Sequence, residues 1–471
     1  MDWGRGAKKG WSTPGERAGP SLPRDAYPRL IQLCGPRLLE GVMRMKALFS
    51  ALLVLACAAS SVGAQSSASA NKPRTVVGFA PDRLARIDQM LQRAVDNNEI
   101  AGAVGLVVRD GRVVYERAVG WSDKEAGRRM TTDAIFRIAS QSKALTSTAI
   151  LMLMEEGRLG LGDPVSKYIP QFAHTTVASR SDTGRVIVPA KRAITIEDLL
   201  THTSGISYGT DSIVAPLYAA KGLGPAAGWG WYTADKNEPI CTTIERLATV
   251  PFVSQPGDAW VYGYNTDVLG CVVERVSGVA FDEFIRTRIT GPLKMIDTFF
   301  FLPPARRERL AAVYMSDSAN HAKRAPSGSR GQGDYVDGPR RSFSGGAGLL
   351  STAHDYARFL QMLLNGGELD GVRLLSPRTI ELMTTNQVGT KVPWGPGAGF
   401  GLAFGTTDRL GADGMASVGS YGWGGAYGSM YKVDPSQHLV MVFMIQQLPN
   451  QSQVASRFPT LVYQALVEPN K

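Results

Sequence analysis

A serine and a lysine stand three residues apart, as Ser140 and Lys143, where an apolar segment begins. One helical turn places residues at this spacing on the same face of a helix. A serine hydroxyl becomes an effective nucleophile when a neighbouring base takes its proton. A lysine can be that base where burial and nearby positive charge lower its pKa. The pair is therefore a candidate nucleophile and base that needs no histidine.

The same two residues also have a purely structural interpretation. Serine is a favoured helix N-cap, because its hydroxyl oxygen accepts a hydrogen bond from a backbone N–H that is otherwise unpaired. Ser-x-x-Lys is a short pattern of common residues and has low specificity. Whether Ser140 is a nucleophile or only a cap must be decided by other parts of the chain.

Three further segments favour the catalytic interpretation. In chain order they are His202-Thr203-Ser204-Gly205, residues 256–270, and Tyr421-Gly422-Trp423-Gly424-Gly425-Ala426. Together with Ser140 and Lys143, they resemble in order and spacing the serine β-lactamase-like superfamily. The nearest match is to the family VIII carboxylesterases, which are related to class C β-lactamases and D-alanyl-D-alanine carboxypeptidases. The resemblance covers about residues 78–468, nearly all of the chain after its N-terminal leader.

The resemblance implies roles for the polar residues. Ser140 corresponds to the acylated nucleophile and Lys143 to the lysine of Ser-x-x-Lys. Tyr262 lies where the second motif has its catalytic tyrosine, counted back from Thr266-Asp267-Val268-Leu269-Gly270. A phenol with a pKa of about 10 is a poor base in water, but a nearby ammonium favours its phenolate. We expect Lys143 and Tyr262 to act as a coupled pair that takes the Ser140 proton and passes it to the leaving alcohol.

The third motif implies the surface that receives the substrate. Trp423-Gly424-Gly425 lies where β-lactamases have Lys-Thr-Gly and where these esterases often have Trp-Gly-Gly. The resemblance implies an oxyanion hole formed by the backbone N–H groups of Ser140 and Ala426, each worth about 3 kcal/mol. The residues expected to contact the substrate are Tyr264, Trp423, Gly424 and Gly425.

Two departures from the β-lactamase pattern favour an ester substrate. The second motif is usually Tyr-x-Asn, whereas Tyr262-Gly263-Tyr264 has tyrosine in the asparagine position, and Asn265 is one residue further on. Tyr264 is therefore also a rival to Tyr262 as the base. The third motif has Trp423 in place of lysine, so one charged anchor for the carboxylate of a β-lactam or peptide is missing.

The sequence thus predicts a serine hydrolase that cleaves carboxylic esters, and the family implies short acyl chains. One alternative is a β-lactamase or D-amino-acid peptidase on the same site, and another is a penicillin-binding module that is acylated without turnover. A third is a lipase that uses Ser207 in Gly205-Ile206-Ser207-Tyr208-Gly209. That Gly-x-Ser-x-Gly pattern needs a preceding strand and a following helix. Neither is predicted there, so Ser207 is a weak candidate, and His202 is expected to fix a turn by hydrogen bonds.

The elements that must position these residues follow from hydrophobic periodicity. An amphipathic helix begins at Ala80-Pro81-Asp82, and residues 103–119 form a hairpin around Asp110-Gly111. The helix after Ser140 is apolar on all sides from Ala149 to Met154 and is therefore expected to be buried. Residues 429–445 form a second hairpin, and a helix near residues 454–467 ends the chain. These patterns predict an α+β fold, similar to β-lactamases and penicillin-binding proteins, with an antiparallel sheet flanked by N- and C-terminal helices and a large all-helical inserted lobe.

The N-terminus is interpreted as a leader and not as part of this fold. Residues 43–64 combine a basic start, a short apolar run and small residues, as a secretory signal peptide does, and residues 1–42 suggest a start codon assigned too early. Lipidation of Cys57 is a less favoured alternative. The catalytic domain is then 65–471, with an α/β lobe at about 78–154 and 342–471 and a helical lobe at about 155–341. We expect a secreted or periplasmic protein.

Composition limits the partners. The leader residues 1–64 hold nine Lys/Arg and four Asp/Glu, so their removal lowers the formal net charge from +10 to +5. No basic, aromatic-rich segment suggests nucleic acid, and the short apolar run at residues 47–59 does not predict a membrane span. We expect a small-molecule ester, or a β-lactam, as the partner, with no cofactor, while the oligomeric state stays open.

Cysteine and glycine usage suggests structural roles. Without the leader, the chain keeps two cysteines, Cys241 and Cys271. Export permits a disulfide between them. A buried free thiol at Cys271 is at least as well supported by its apolar surroundings. The spacing of these cysteines to histidine matches no metal motif, so no metal is expected. Ser344-Gly345-Gly346-Ala347-Gly348 lacks the end of a phosphate loop and is expected to let backbones pack closely near the site. Residues 179–191 and 321–341 are expected to be polar loops.

Overall fold

A large antiparallel sheet organises the computed structural model, which describes residues 77–182, 184–223, 235–328 and 331–468. The strands are β1 (Gly102–Arg109), β2 (Arg112–Asp123), β3 (Arg128–Arg129), β4 (Phe136–Arg137), β5 (Thr176–Ser181), β6 (Gly184–Pro189), β7 (Tyr314–Ser316), β8 (Ala322–Arg324), β9 (Leu350–Ser351), β10 (Glu368–Leu369), β11 (Val372–Arg373), β12 (Ala398–Phe400), β13 (Gly405–Thr407), β14 (Tyr421–Gly424), β15 (Met430–Asp434) and β16 (Leu439–Ile445).

Ten α-helices surround the strands within the described residues. They are α1 (Pro81–Asp96), α2 (Ser142–Glu155), α3 (Ile196–Leu200), α4 (Ala215–Ala220), α5 (Ile240–Leu247), α6 (Asn265–Ser277), α7 (Phe281–Ile285), α8 (Ala353–Leu364), α9 (Pro377–Thr384) and α10 (Val454–Ala465). A π-helical turn, Arg286–Thr290, continues α7. Short 3-10 turns are Ala139–Gln141, Val165–Lys167, Pro170–His174, Pro304–Arg309 and Pro435–Gln437.

The main sheet joins the two ends of the described chain. Its eight strands lie in the order β12-β13-β14-β15-β16-β1-β2-β3. The N-terminal hairpin β1–β2 meets the C-terminal hairpin β15–β16 where β1 pairs with β16, from Ala103 opposite Ile445 to Arg109 opposite Leu439. Every residue of β1 is buried, since helices cover both faces of the sheet at its centre. Both predicted hairpins are therefore confirmed and share one sheet.

Helices from the two chain ends cover one face of the sheet, and internal helices cover the other. On the first face, Leu91 of α1 and Phe458 of α10 belong to one apolar cluster with Phe443 of β16. On the second face, Ile150 of α2 and Leu360 of α8 belong to the larger core cluster. Residues 142–153 of α2 are all buried. The prediction of an antiparallel sheet flanked by N- and C-terminal helices is confirmed.

The segment between α2 and β9 is not all-helical as the sequence suggested. It holds α3 to α7, but β5 pairs with β6 and β7 pairs with β8. The first pair corrects the expectation of a polar loop at residues 179–191. The residues of β6 are all exposed and only Val177 and Ala178 of β5 are buried, while the β-branched run Val186-Ile187-Val188 favours an extended backbone. Because the two buried residues are adjacent and the others are exposed, the hairpin lacks the apolar-polar alternation that predicts a half-buried strand.

Two helices of this segment are joined covalently. Cys241 in α5 and Cys271 in α6 form a disulfide, with their Cα atoms 5.2 Å apart. Of the two alternatives for Cys271, the structure therefore has the disulfide and not the free thiol. The bridge ties α5 to the helix that begins directly after Tyr262 and Tyr264.

Other sequence predictions concern residues that the structure does not describe. The leader at 1–42, the signal peptide at 43–64 and a lipid anchor at Cys57 lie outside the described residues. The lobe boundaries also stay predictions, because contacts group Ala70–Lys471 into one unit. Across residues 77–182, 184–223, 235–328 and 331–468, no helix has both the length and the apolar character needed to cross a bilayer.

Candidate active site

Ser140 lies in the 3-10 turn Ala139–Gln141, immediately before α2. The preceding Ala139 has φ +44°, a left-handed conformation that is unfavourable for a residue with a side chain. The residue in the N-cap position of α2 is Gln141, and no side chain caps this end. Ser140 is therefore not the cap that its residue type suggested. Ser140 is half-buried and lies just before α2, whose first residues are buried.

Three oxygen acceptors surround the ammonium of Lys143, which is only 2% exposed. Lys143 Nζ donates to Gly346 O at 2.8 Å, to Tyr208 Oη at 3.0 Å and to Ser140 Oγ at 3.4 Å. An ammonium has three N–H donors and no acceptor. The three contacts therefore equal the donors of an ammonium in number.

Tyr262 faces the same ammonium from the other side. Lys143 Nζ lies 4.6 Å from the centroid of the Tyr262 ring, which is a cation–π distance. The Tyr262 hydroxyl oxygen accepts a hydrogen bond from the indole Nε1–H of Trp423 at 3.1 Å. The structure thus brings Ser140, Lys143, Tyr262 and Trp423 together, although they lie on different parts of the chain.

Tyr208 is a site residue that sequence reasoning missed. It belongs to Gly205-Ile206-Ser207-Tyr208-Gly209, in which the sequence suggested only Ser207 as a candidate nucleophile. Burial, together with the nearby Tyr262, Asp267 and Tyr264, holds the pKa of the Tyr208 phenol well above its usual value. Tyr208 is therefore a neutral phenol that supports Lys143 by hydrogen bonding. No periodicity or motif in the sequence marks this residue.

Ser207 has the structural role that the sequence suggested. Its hydroxyl oxygen accepts a hydrogen bond from the Gly209 backbone N–H at 3.0 Å within a turn. Gly205 precedes it with φ +83°, and a Cβ there would lie 2.0 Å from Ser254 O, so only glycine fits. The segment has neither the strand before it nor the helix after it that a nucleophile elbow needs.

Tyr264 and Asn265 are buried and contact other residues of the motifs. The Tyr264 side chain is 1% exposed and packs edge-on against Tyr208, with ring centroids 5.1 Å apart. Because the Tyr264 ring at the start of α6 is buried, it presents no exposed surface for the substrate contact that the sequence suggested. The Asn265 amide Nδ2 lies 2.8 Å from His202 Nδ1, and its oxygen accepts a hydrogen bond from Ser204 Oγ.

His202 is a neutral, buried residue that joins the motifs. Burial, and then the positive charge of Lys143, hold the pKa of its imidazole well below the usual value. Since Asn265 Nδ2 is a donor, His202 Nδ1 is assigned as the acceptor. The His202 backbone carbonyl also accepts a hydrogen bond from Val261 N–H at 2.7 Å. These bonds connect the His-Thr-Ser-Gly turn to the segment that presents Tyr262.

The glycine-rich segment Ser344-Gly345-Gly346-Ala347-Gly348 supplies a carbonyl to Lys143 and packs as closely as predicted. Asp267 accepts hydrogen bonds from Ser344 Oγ and from the Gly346 N–H. Thr146 of α2 donates to Gly345 O at 2.8 Å. A Cβ on Gly345 would lie 2.5 Å from Thr266 O, so the segment needs glycine to approach α6. This packing directs Gly346 O toward Lys143.

Two backbone N–H groups are available beside Ser140. A Cβ on Gly425 would lie 2.6 Å from Ile138 O, so the residue that follows β14 packs directly beside the turn that contains Ser140. Ala426 packs on the small apolar cluster that includes Ala139. Among the described residues, the amides of Ser140 and Ala426 donate to no carbonyl or side chain. The arrangement suits an oxyanion, which needs unpaired donors fixed in advance.

Family comparison agrees with this arrangement of motifs. Residues 87–465 match the family model described as Beta-lactamase. The chain belongs to the beta-lactamase family. That match includes every residue placed at the site above, and it confirms the family resemblance predicted from the motifs.

Relatives within the beta-lactamase family include esterases and an amidase. The chain is 32% identical over 376 residues to esterase EstB of Burkholderia gladioli, which covers 76% of this chain and 89% of EstB. It is 31% identical over 345 residues to lovastatin esterase of Penicillium rubens, with 72% and 82% covered. It is 28% identical over 426 residues to N-acetylmuramyl-L-alanine amidase of Bacillus subtilis, with 83% and 88% covered.

Two solved structures are similar in fold to this chain. EstCE1, described as a hydrolase with promiscuous acyltransferase activity, has a TM-score of 0.67 and 26% identity, with 83% of this chain and 100% of that chain covered. Simvastatin synthase (LovD) of Aspergillus terreus has a TM-score of 0.68 and 25% identity, with 82% and 98% covered. This beta-lactamase family member therefore has the serine hydrolase fold, and its homologues include esterases.

Proposed function

We propose that this protein is a serine hydrolase that cleaves carboxylic esters through an acyl-enzyme on Ser140. The observation that carries the proposal is the 3.4 Å contact between Ser140 Oγ and the buried Lys143 Nζ. A half-buried hydroxyl beside a fully enclosed ammonium is an unusual placement for a structural serine. The two unpaired N–H groups next to it, of Ser140 and Ala426, fit the oxyanion of an acyl transfer reaction.

In the proposed acylation, Tyr262 is the proton acceptor. Lys143 is fully engaged as a donor, so its ammonium cannot take a proton in this arrangement. The Trp423 N–H and the Lys143 charge both stabilise negative charge on Tyr262. In this step Tyr262 reacts as its phenolate. As Ser140 Oγ bonds to the ester carbonyl carbon, its proton moves to the phenolate oxygen, and the carbonyl oxygen becomes the oxyanion.

Collapse of that intermediate breaks the bond to the alcohol oxygen. Tyr262 returns the proton to this oxygen, so the alcohol leaves neutral and Ser140 carries the acyl group. For deacylation, Tyr262 takes a proton from water, whose oxygen attacks the acyl carbon. The proton then returns to Ser140, and the carboxylic acid is released. Each residue ends the cycle in its starting form.

The third motif favours an ester over a β-lactam or a peptide. Trp423 stands where β-lactamases have a lysine, and its N–H is used by Tyr262. A substrate carboxylate would therefore lack that motif's cation. We expect kcat/KM for p-nitrophenyl acetate to exceed that for nitrocefin. A higher value for nitrocefin would favour the β-lactamase alternative instead. Acylation of Ser140 without release would indicate a penicillin-binding module.

Labelling identifies the nucleophile directly. We expect an activated phosphonate to add one mass increment to the intact protein, and peptide mapping to place it on Ser140. Ser140→Ala should abolish both labelling and hydrolysis of a p-nitrophenyl ester. Ser207→Ala is the matched control, because Ser207 is the other candidate nucleophile and should keep most of the activity. Loss of activity in Ser207→Ala with activity retained in Ser140→Ala would overturn the proposal.

We also propose that the enzyme is exported by residues 43–64 and acts on short acyl chains, as the sequence suggests. Sequencing the N-terminus of the secreted protein tests the first point, with residue 65 as the expected start. A mature chain that retains Trp3 or Trp11 would contradict it. A series of p-nitrophenyl esters of increasing acyl length tests the second, with kcat/KM expected to fall as the chain lengthens.

A further inference from the structure

Several aromatic rings pack around the proposed base. Trp260 stacks on Tyr262 with ring centroids 5.7 Å apart and an interplanar angle of 17°. Trp394 lies 5.0 Å from Trp260 and 5.4 Å from Trp423, and Phe400 lies 5.3 Å from Trp423. We refer to Trp260, Tyr262, Trp394, Phe400 and Trp423 as the aromatic wall. Its members come from three separate segments of the chain, so the fold assembles it.

The aromatic wall is open to solvent along one edge. Trp394 is 44% exposed, and Trp260, Tyr262 and Trp423 are half-buried, whereas Phe400 is buried behind them. Exposed tryptophans that pack against each other beside a catalytic group are typical of binding surfaces, since a large apolar area stays uncovered until a ligand arrives. The wall therefore has more apolar surface than catalysis alone requires.

A cavity of about 310 Å³ adjoins the aromatic wall, and Trp394 and Trp423 form one side of it. Glycines from β13 and β14, including Gly405 and Gly424, also line the cavity. A Cβ on Gly405 would lie 3.4 Å from the Trp423 ring, so side chains there would narrow the space. The two charged residues that line the cavity, Asp413 and Lys432, pair with each other. The site thus fits a flat and uncharged group.

The position of Tyr262 indicates which part of the ester meets the aromatic wall. In the proposed function, Tyr262 returns a proton to the leaving alcohol, so that oxygen must come within hydrogen-bond reach of Tyr262 Oη. The remainder of the alcohol then extends along the rings that pack on Tyr262. We infer that the aromatic wall binds the alcohol portion of the ester and selects a planar, uncharged aromatic alcohol; this inference rests on the proposed function.

A pair of acetate esters tests this selectivity. Ethyl acetate and 2-naphthylmethyl acetate have the same acyl group and alcohols of similar acidity, so they differ chiefly in the alcohol that the wall would contact. We expect a higher kcat/KM for the naphthylmethyl ester. Trp394→Ala should lower the ratio of the two kcat/KM values about tenfold, because the variant loses one aromatic contact with the alcohol and the apolar area that this contact buries. Trp394→Phe should retain most of the ratio.

Two controls separate this effect from a general loss of structure. Trp121 on β2 is a matched tryptophan, because β15, β16 and β1 lie between β2 and β14, the strand of Trp423, in the main sheet. The Arg129 guanidinium carbon lies 3.8 Å from the centroid of the Trp121 ring. Trp121→Ala should leave the ratio unchanged. Ethyl 2-naphthylacetate carries the aromatic group on the acyl side, and Trp394→Ala should not change its ratio to ethyl acetate. A fall in the acyl-side ratio, or no change in the alcohol-side ratio, would overturn the inference.

Failure of the proposed function would be visible separately. If Ser140→Ala hydrolysed both acetates at the wild-type rate, the nucleophile assignment would be wrong whatever Trp394→Ala did. If Ser140→Ala were inactive and Trp394→Ala lowered kcat/KM for every ester by the same factor, the proposed function would stand and the selectivity inference would fall.

Discussion

The acceptors around Lys143 define its chemistry at the scale of single residues. Nζ contacts Gly346 O, Tyr208 Oη and Ser140 Oγ, so each N–H of the ammonium has a partner. In the proposed mechanism, Lys143 therefore donates hydrogen bonds beside Ser140 and does not accept its proton. The proposal gives the basic role to Tyr262, whose oxygen accepts a hydrogen bond from Trp423.

Replacement of Tyr262 tests the proton relay. Tyr262→Phe should lower kcat for a p-nitrophenyl ester by about 10²- to 10⁴-fold, the usual contribution of a general acid–base group. Tyr264→Phe is the matched control, since that ring is buried against Tyr208, and its kcat should fall by much less. If Tyr264→Phe were the more damaging change, the register chosen for the second motif would be wrong.

Replacement of Tyr208 tests the support of Lys143. Tyr208→Phe removes one acceptor from a buried ammonium and leaves an N–H unpaired, which should lower kcat about tenfold with little change in KM. Steady-state kinetics on wild type and variant, with thermal unfolding of both, measure this. A purely structural role for Tyr208 would lower the unfolding temperature and leave kcat per folded molecule unchanged.

At the scale of elements, α2 is fixed by polar groups that its apolar sequence does not explain. Thr146 donates to Gly345 O, and Ser142 Oγ accepts a hydrogen bond from Leu349 N–H. Asp267 of α6 holds the same glycine-rich segment from the other side. The buried hydroxyls of α2 thus connect the nucleophile turn to the carbonyl that Lys143 needs.

The glycine-rich segment should tolerate no side chain at its closest approach. Gly345→Ala would place a Cβ 2.5 Å from Thr266 O, and we expect a loss of about 1–3 kcal/mol in the free energy of unfolding, together with lower kcat. Urea denaturation and steady-state kinetics measure the two effects. Gly162→Ala is the matched control, because no atom lies within 4 Å of its Cβ position. Equal stability of the two variants would contradict the packing argument.

The disulfide between α5 and α6 should stabilise the segment that presents Tyr262. The bridged cysteines are 30 residues apart, and cross-linking a loop of this length is worth about 3–4 kcal/mol in the chain-entropy description. Replacing both Cys241 and Cys271 by serine should lower the free energy of unfolding in urea by that order. Reductant should destabilise the wild type and leave the double variant unaffected. An effect of reductant on the variant would contradict this assignment.

For the whole molecule, one buried carboxyl gives stability a distinct pH dependence. Asp355 of α8 accepts hydrogen bonds from Asp297 N–H and Thr298 Oγ1, which tie α8 to the segment that precedes it in the chain. Burial raises the pKa of Asp355 to about 6. The folded state therefore binds this proton more tightly than the unfolded state. The stability from this group is complete below about pH 3.8 and is lost as the pH rises from there through about 6.

The contribution of Asp355 to the free energy of unfolding falls by about 3 kcal/mol in total, because the pKa of Asp355 is about two units higher in the folded state than in the unfolded state. We expect Asp355→Asn to remove this component, so the free energy of unfolding of wild type minus variant should fall between pH 4 and pH 7. Taking the difference cancels the opposite contribution of His202, whose lowered pKa adds stability as the pH rises. A difference that is constant with pH would show that folding does not raise the pKa of Asp355.

Local spacing in the sequence determined much of this protein. Periodicity predicted α1, both hairpins of the main sheet and the buried helix α2, because these patterns depend on residues that are neighbours along the chain. The i, i+3 spacing of Ser140 and Lys143 had the same local basis. The order of motifs then indicated the beta-lactamase family, which residues 87–465 match.

Only the tertiary structure decided what surrounds that pair. Tyr208 and Gly346 are 65 and 203 residues from Lys143 in the chain, and the hairpin β5–β6 has only two buried residues, both in β5. Trp394 is likewise distant in the chain from Trp423, and the two rings come into contact only in the folded structure. Contacts between distant residues depend on how whole elements pack, and short-range periodicity contains no record of that packing.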